Sequence, residues 1–149
     1  MRHFYIFNIT STMNVLGHFY PYELFRTLET IYYGNQSQVI KEETILKQLL
    51  NKIDIDSLDN QIYQKFKHNY FYTTYHHRHV IRDIFRKETS IMEIHNSYIK
   101  LETNILMPRF LETINKNHTF FVCDFENKDY YFLDETNIIF PKERHVNQI

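Results

Sequence analysis

The apolar positions of the chain change period several times, and each change marks a predicted element. From Arg2 to Ile9 almost every position is apolar or aromatic, with Phe4 and Ile6 on one side of an extended chain and Tyr5, Phe7 and Ile9 on the other. A run that is apolar on both faces predicts a central strand covered on both sides. Thr10 to Tyr20 reads as a loop or a short helical turn around Gly17. Pro21 suits the first turn of a helix. Leu24, Phe25, Leu28, Ile31 and Tyr32 then recur at helical spacing to about Tyr33, and Gly34-Asn35 supplies the stop. A second helix is predicted from Lys41 to Lys52, with Ile45, Leu46, Leu49, Leu50 and Ile53 as its stripe. A third carries Leu58, Ile62 and Phe66, with Asp56 or Ser57 as its cap.

The second half turns towards strands. Tyr and Thr content favours extended chain between Asn69 and His77. Val80 to Arg86 alternates, Ser90 to His95 alternates again, and Lys87-Glu88-Thr89 between them reads as the turn of a hairpin. Asn96 or Ser97 is expected to start a helix with Tyr98, Leu101, Ile105 and Leu106 on one face. Pro108 would kink that helix or start another carrying Phe110, Leu111 and Ile114. Near the end, Thr119 to Phe125 and Tyr130 to Leu133 are aromatic and β-branched runs separated by Glu126-Asn127-Lys128-Asp129, which is hairpin grammar. The sum is an α+β fold: one domain over residues 1–149, with a mainly antiparallel sheet of about five strands and about four packed helices.

Composition changes this picture little. Aromatics are 17% of the 149 residues and Trp is absent, so the core must be built from large rings, with Tyr hydroxyls needing partners where they are buried. Seventeen basic residues against 18 acidic give a net charge of −1, which offers no general attraction to nucleic acid. The single cysteine, Cys123, excludes an internal disulfide framework and fits a reducing cytoplasm. No apolar run approaches the ~20 residues a membrane span needs, and the N-terminal apolar run is too short for a signal peptide. No membrane partner is expected.

Motifs of catalysis are scarce. His76, His77 and His79, with His95 across the predicted hairpin, could present imidazoles for zinc and so a metal-dependent enzyme. However, neither an HExxH nor a Cys-His spacing accompanies them, and a solvated strand end explains them equally. No metal or cofactor is therefore assigned. Two glycines cannot build a phosphate-binding loop. Cys123 alternates onto one face with Phe121 and Phe125 and reads as an inert core thiol. Asp124 is expected on the other, solvated face of the hairpin. Surface Tyr and Phe near Lys could stack on single-stranded nucleic acid. The one unusual feature is the connection from Thr12 to Tyr20, which holds Met13, Val15, Leu16, Phe19 and Tyr20 where a polar loop is expected. Such a patch either packs in the core or docks a partner.

Four stretches carry a resemblance: Arg2-His3-Phe4-Tyr5-Ile6, Tyr22-Glu23-Leu24-Phe25, Ile91-Met92-Glu93-Ile94, and Phe121 to Lys128 with its partner Tyr130 to Leu133, ending in Pro141-Lys142-Glu143-Arg144. In this order they resemble the SirA family, the sporulation inhibitors of replication. The resemblance implies a cytoplasmic protein that is not an enzyme and that binds the N-terminal domain of the replication initiator DnaA, with no direct nucleic-acid contact expected. It places partner binding after the first strand, at Met13, Val15, Leu16, Gly17 and Phe19. Where the family has an aromatic pair before the glycine, this chain has Val15 and Leu16.

Overall fold

The computed structural model describes residues 1–34, 47–114 and 119–133. Its elements run β1 (Arg2–Asn8), α1 (Ser11–Phe19), α2 (Pro21–Tyr33), α3 (Ile55–Phe66), β2 (Tyr72–Tyr75), β3 (Arg78–Asp83), β4 (Glu88–Ile94), β5 (Ile99–Thr103), α4 (Arg109–Ile114), β6 (Phe120–Asp124) and β7 (Asp129–Phe132). Residues 47–49 are helical as well. The seven strands form one sheet in the order β2-β3-β4-β5-β1-β6-β7, and every neighbouring pair is antiparallel.

The N-terminal strand is central and covered on both sides, as its pattern predicts. Phe4 and Ile6 enter a core built with α3 and α4, whereas Phe7 and Ile9 enter a second core under α2, with Tyr5 packed against it. The predicted C-terminal hairpin divides in the same way. Phe120, Val122, Tyr131 and Leu133 face the first core, and Phe121, Cys123, Phe125, Tyr130 and Phe132 face the second. Strands β3 to β5 differ. Their burial alternates, so only one of their faces is covered by helices and the other meets solvent.

The α+β class with a mainly antiparallel sheet stands, but the expected five strands become seven. Residues Tyr72–Tyr75 pair with β3 as the edge strand. The helix expected after Asn96 is instead strand β5, hydrogen-bonded between β4 and β1. Its residues Ile99, Leu101 and Thr103 are buried while Lys100 and Glu102 are not, a period of two. Tyr98, Leu101, Ile105 and Leu106 had matched the helical period only because the segment is short. Pro108 precedes the short helix α4, whose Phe110, Leu111 and Ile114 are buried. The β3–β4 turn starts three positions earlier than expected, at residues 84–87, and Glu88 is a buried strand residue. The cap of α3 is Asp54, whose carboxylate accepts the Ser57 amide at 3.2 Å, not Asp56 or Ser57. Gly34 ends α2 with an extended backbone instead of a left-handed one. Of the helix expected over residues 41–52, residues 41–46 lie outside the described residues. Its end comes at 49, because Leu50 bridges Ile9. The segment Pro141 to Arg144 also lies outside the described residues.

Asp124 is a clear correction. It is buried, and it stands opposite Asp129 across the β6–β7 pair. Two carboxylates so placed repel, and Arg2 resolves the conflict. Its Nε donates to Asp124 at 3.0 Å and its Nη2 to Asp129 at 3.2 Å, while its guanidinium lies over the Phe4 ring. A second clamp holds the β3–β4 hairpin: Arg109 donates to Asp83 and to Glu88, each at 3.0 Å. Burial alone would raise the Asp83 carboxyl, but the amides of Phe85 and Arg86 and the Arg109 charge outweigh it and hold it below its ordinary value.

Two outcomes follow. Arg2→Met keeps the apolar stem but strands two carboxylates, so chemical denaturation should show a loss of about 3 kcal/mol, largely restored when Asp124→Asn and Asp129→Asn are added. For Asp83, a depressed folded pKa means that its contribution is present above the unfolded value, about 3.9, and is lost as pH falls through the lower folded value. The gap in thermal midpoint between wild type and Asp83→Asn should therefore be widest at neutral pH and shrink in acid. A gap independent of pH would remove this account.

Candidate functional site: an apolar two-helix surface

The connection expected to be a loop or a short turn is the nine-residue helix α1. Gly17 in its interior lowers helix propensity by ~1 kcal/mol, which is why the sequence argues against it. Packing reverses that preference. Gly17 is the buried residue of α1, and a Cβ at that position would lie 2.8 Å from Leu24 Cδ2 and 3.0 Å from Phe132 Cζ. Only glycine lets the helix approach β7 and α2 so closely. His18 adds to the seat, stacking on Phe132 at 3.8 Å while its Nδ1 donates to the Asn14 carbonyl at 2.8 Å.

Helix α1 ends where α2 begins. The Tyr20 amide donates to the Leu16 carbonyl, and the Leu24 amide to the Tyr20 carbonyl, so Tyr20 belongs to both ends. Pro21 has no amide to continue α1, and it biases Tyr20 away from helical geometry. The corner is tied to the sheet by Leu24, Phe25 and Leu28 in the second core, and by Glu29, which accepts from Arg26 and from Lys128 of the β6–β7 turn.

With Gly17 turned inward, its neighbours face out. Val15 is 59% exposed, Leu16 50% and Phe19 76%, and Met13 is half-buried against the second core. The structure thus brings Val15, Leu16 and Phe19 to the surface of one helix, and it places Gly17 beneath them as the contact with the sheet. Helical spacing pairs Val15 with Phe19 and Leu16 with Tyr20, four residues apart. Tyr20 and Tyr22 are exposed too. Tyr20 belongs to the apolar stretch expected from the sequence but not to the contact residues named there, and Tyr22 is not among them either, although Pro21 at a helix start already implied a corner. A cleft of about 480 Å³ lies beside Leu16 and Tyr20, with Met13, Leu24 and Leu49 among its lining residues. Its chemistry is that of apolar recognition. The titratable groups behind it that shift, Tyr130 and Cys123, both move up, chiefly through burial, away from their reactive anionic forms.

The histidines do not converge on a metal. His77 and His79 both meet the Asp59 carboxylate, at 2.5 and 2.7 Å. An ionised carboxylate only accepts, so those ring nitrogens carry protons and are not free to ligate. His79 is buried, with the Tyr72 hydroxyl 2.7 Å from its Nδ1, and ties the edge strands to α3. His95 lies against Tyr98 and Glu93, while His76 packs on Tyr75. Among the described residues no group of three or more His, Cys, Asp or Glu side chains could hold a metal ion.

Enlarging Gly17 tests the seat of the helix. Gly17→Val should lower stability by about 2 kcal/mol through overpacking against Leu24 and Phe132, measured by denaturant unfolding. An unchanged midpoint would mean that α1 sits on the sheet more loosely than described.

A search of curated proteins finds none that matches the chain. A sequence model of the family described as sporulation inhibitor of replication protein SirA matches residues 5–137. That span takes in the central strand from Tyr5 onward, the α1–α2 corner and the β6–β7 hairpin, and the chain belongs to the SirA family.

Proposed function

We propose that this protein inhibits initiation of chromosome replication by docking its α1–α2 surface on the N-terminal domain of the initiator DnaA, in the cytoplasm. Family membership supports an inhibitor of replication, and the partner follows from what the family resemblance implies. One observation carries the choice of surface: Val15, Leu16, Phe19 and Tyr20 are exposed together on a helix that is itself fixed to the sheet. Exposed apolar groups on a rigid support bind with little ordering cost. Large rings anchor most interfaces, and here Phe19 and Tyr20, one turn beyond Val15 and Leu16, supply them. The cleft beside Leu16 offers room for an apolar side chain of the partner. The action is steric: an initiator domain covered by this surface is denied the contacts it uses to assemble an initiation complex. No chemistry at the site is required.

Titration of the cognate initiator's N-terminal domain decides the matter. Wild type should bind with a dissociation constant at or below about 10 µM. Leu16→Asp should weaken binding by roughly a hundred-fold, as loss of a central apolar contact does, while the thermal midpoint stays nearly unchanged because Leu16 is half-exposed. Absence of wild-type binding at tens of micromolar would sink the proposal. A large stability loss in Leu16→Asp would instead return Leu16 to the core.

A further inference from the structure

A second apolar surface lies at the other end of the sheet. The β3–β4 turn carries Ile84 and Phe85, 74% and 82% exposed. Phe71 places its ring edge-on to Phe85 at 5.8 Å, and Tyr70, 92% exposed, continues the series from Phe71 at 5.4 Å. Two large apolar side chains exposed to this degree project from the turn, and no described residue covers them.

The fold holds this tip rigidly. Asp83 accepts the amides of Phe85 and Arg86 at 3.0 and 3.1 Å, shaping the turn, and Lys87 closes it with a φ of 54°. Beneath it Arg109 clamps Asp83 and Glu88, and Ser90 donates to Glu88. The charges are sorted as well. Both acids, Asp83 and Glu88, are buried and paired with Arg109, whereas the cations Arg82, Arg86 and Lys87 are exposed, Arg86 with its Nε 4.0 Å from Asp83. What the hairpin end shows to its surroundings is two apolar groups, two aromatic rings and three positive charges.

We infer that the β3–β4 tip docks peripherally on an anionic lipid surface, with Ile84 and Phe85 inserted at the headgroup level and Arg82, Arg86 and Lys87 against lipid phosphates. A flat bilayer suits a projecting tip, and Tyr70 has the amphipathic character favoured at that depth. Single-stranded nucleic acid fits less well, because Ile84 offers no face for a base and the cations cluster at one hairpin end instead of along a groove. The sequence expectation of no membrane partner rested on the lack of a spanning segment, which a peripheral contact does not need. This surface is separate from the α1–α2 corner, so its failure leaves the proposed initiator contact untouched.

The chain has no tryptophan, so Phe85→Trp in the full-length protein provides a single tryptophan at the tip, excited at the red edge of the band where the 12 tyrosines do not absorb. Mixed with vesicles of phosphatidylcholine containing about one third phosphatidylglycerol, its emission should shift to shorter wavelength, reverting at high salt. Vesicles of phosphatidylcholine alone should give no shift. In sedimentation with the same vesicles, Arg82→Gln, Arg86→Gln and Lys87→Asn should each weaken partition roughly five-fold. Ile84→Ser with Phe85→Ser should weaken it about ten-fold or more without altering the thermal midpoint. The inference is overturned if no emission shift occurs at low salt, or if protein sediments with vesicles while the Trp emission stays unchanged. It is overturned equally if the charge variants partition like wild type, or if a thymidine oligonucleotide perturbs the Trp and anionic vesicles do not.

Discussion

Burial of β1 on both faces constrains everything else. Its side chains feed two cores at once, so helices must lie on both sides of the sheet at that point. The same demand extends to β6 and β7, every residue of which is buried. Strands β6 and β7 have no solvent face, and β1 beside them buries Phe4, Ile6 and Phe7, so this part of the sheet leaves little place for unpaired charge. Yet β6 ends and β7 begins with an aspartate, directly opposite one another. Arg2 makes that tolerable, and it stands at the start of the strand whose burial creates the problem. Arg2 thus ties the start of β1 to the β6–β7 hairpin.

The sheet divides in consequence. Among the described residues, one face is covered from β2 to β7 by α3 and α4, the other over β1, β6 and β7. Helices α1 and α2 therefore occupy a restricted platform. Helix α1, nine residues long, can bury only a narrow line through Gly17, and half-bury Met13. The remaining apolar groups of α1 are left outside because the platform ends, which gives a physical origin to the exposed Val15, Leu16 and Phe19.

Where burial and periodicity agreed, the sequence was legible. β1, α2, the stripe of α3 and the β6–β7 hairpin all follow from alternation or helical spacing over enough residues. Strand β5 was lost because five alternating residues flanked by Tyr98 and Leu106 fit both periods, and only its partners on each side decide between them. Helix α1 was lost for the opposite reason, since Gly17 and the polar residues around it argue against a helix until Phe132, more than a hundred positions away, is placed under it. Asp124 looked like a solvated residue because its partner Arg2 lies at the far end of the chain. The candidate residues themselves were visible as an apolar anomaly in a supposed loop. Their division into an inward glycine and outward neighbours was not, because it depends on helical geometry the pattern did not reveal.

That division sets which positions of such a surface the fold restrains. The position that cannot vary freely is Gly17, since a side chain there would meet buried Leu24 and Phe132. The outward positions have no such restraint. Val15 and Leu16 present aliphatic groups on one turn, and the next turn of the same surface presents Phe19 and Tyr20. An interface built on a fixed corner can shift its anchor by a helical turn without altering the fold beneath it, provided the glycine stays in contact with the sheet.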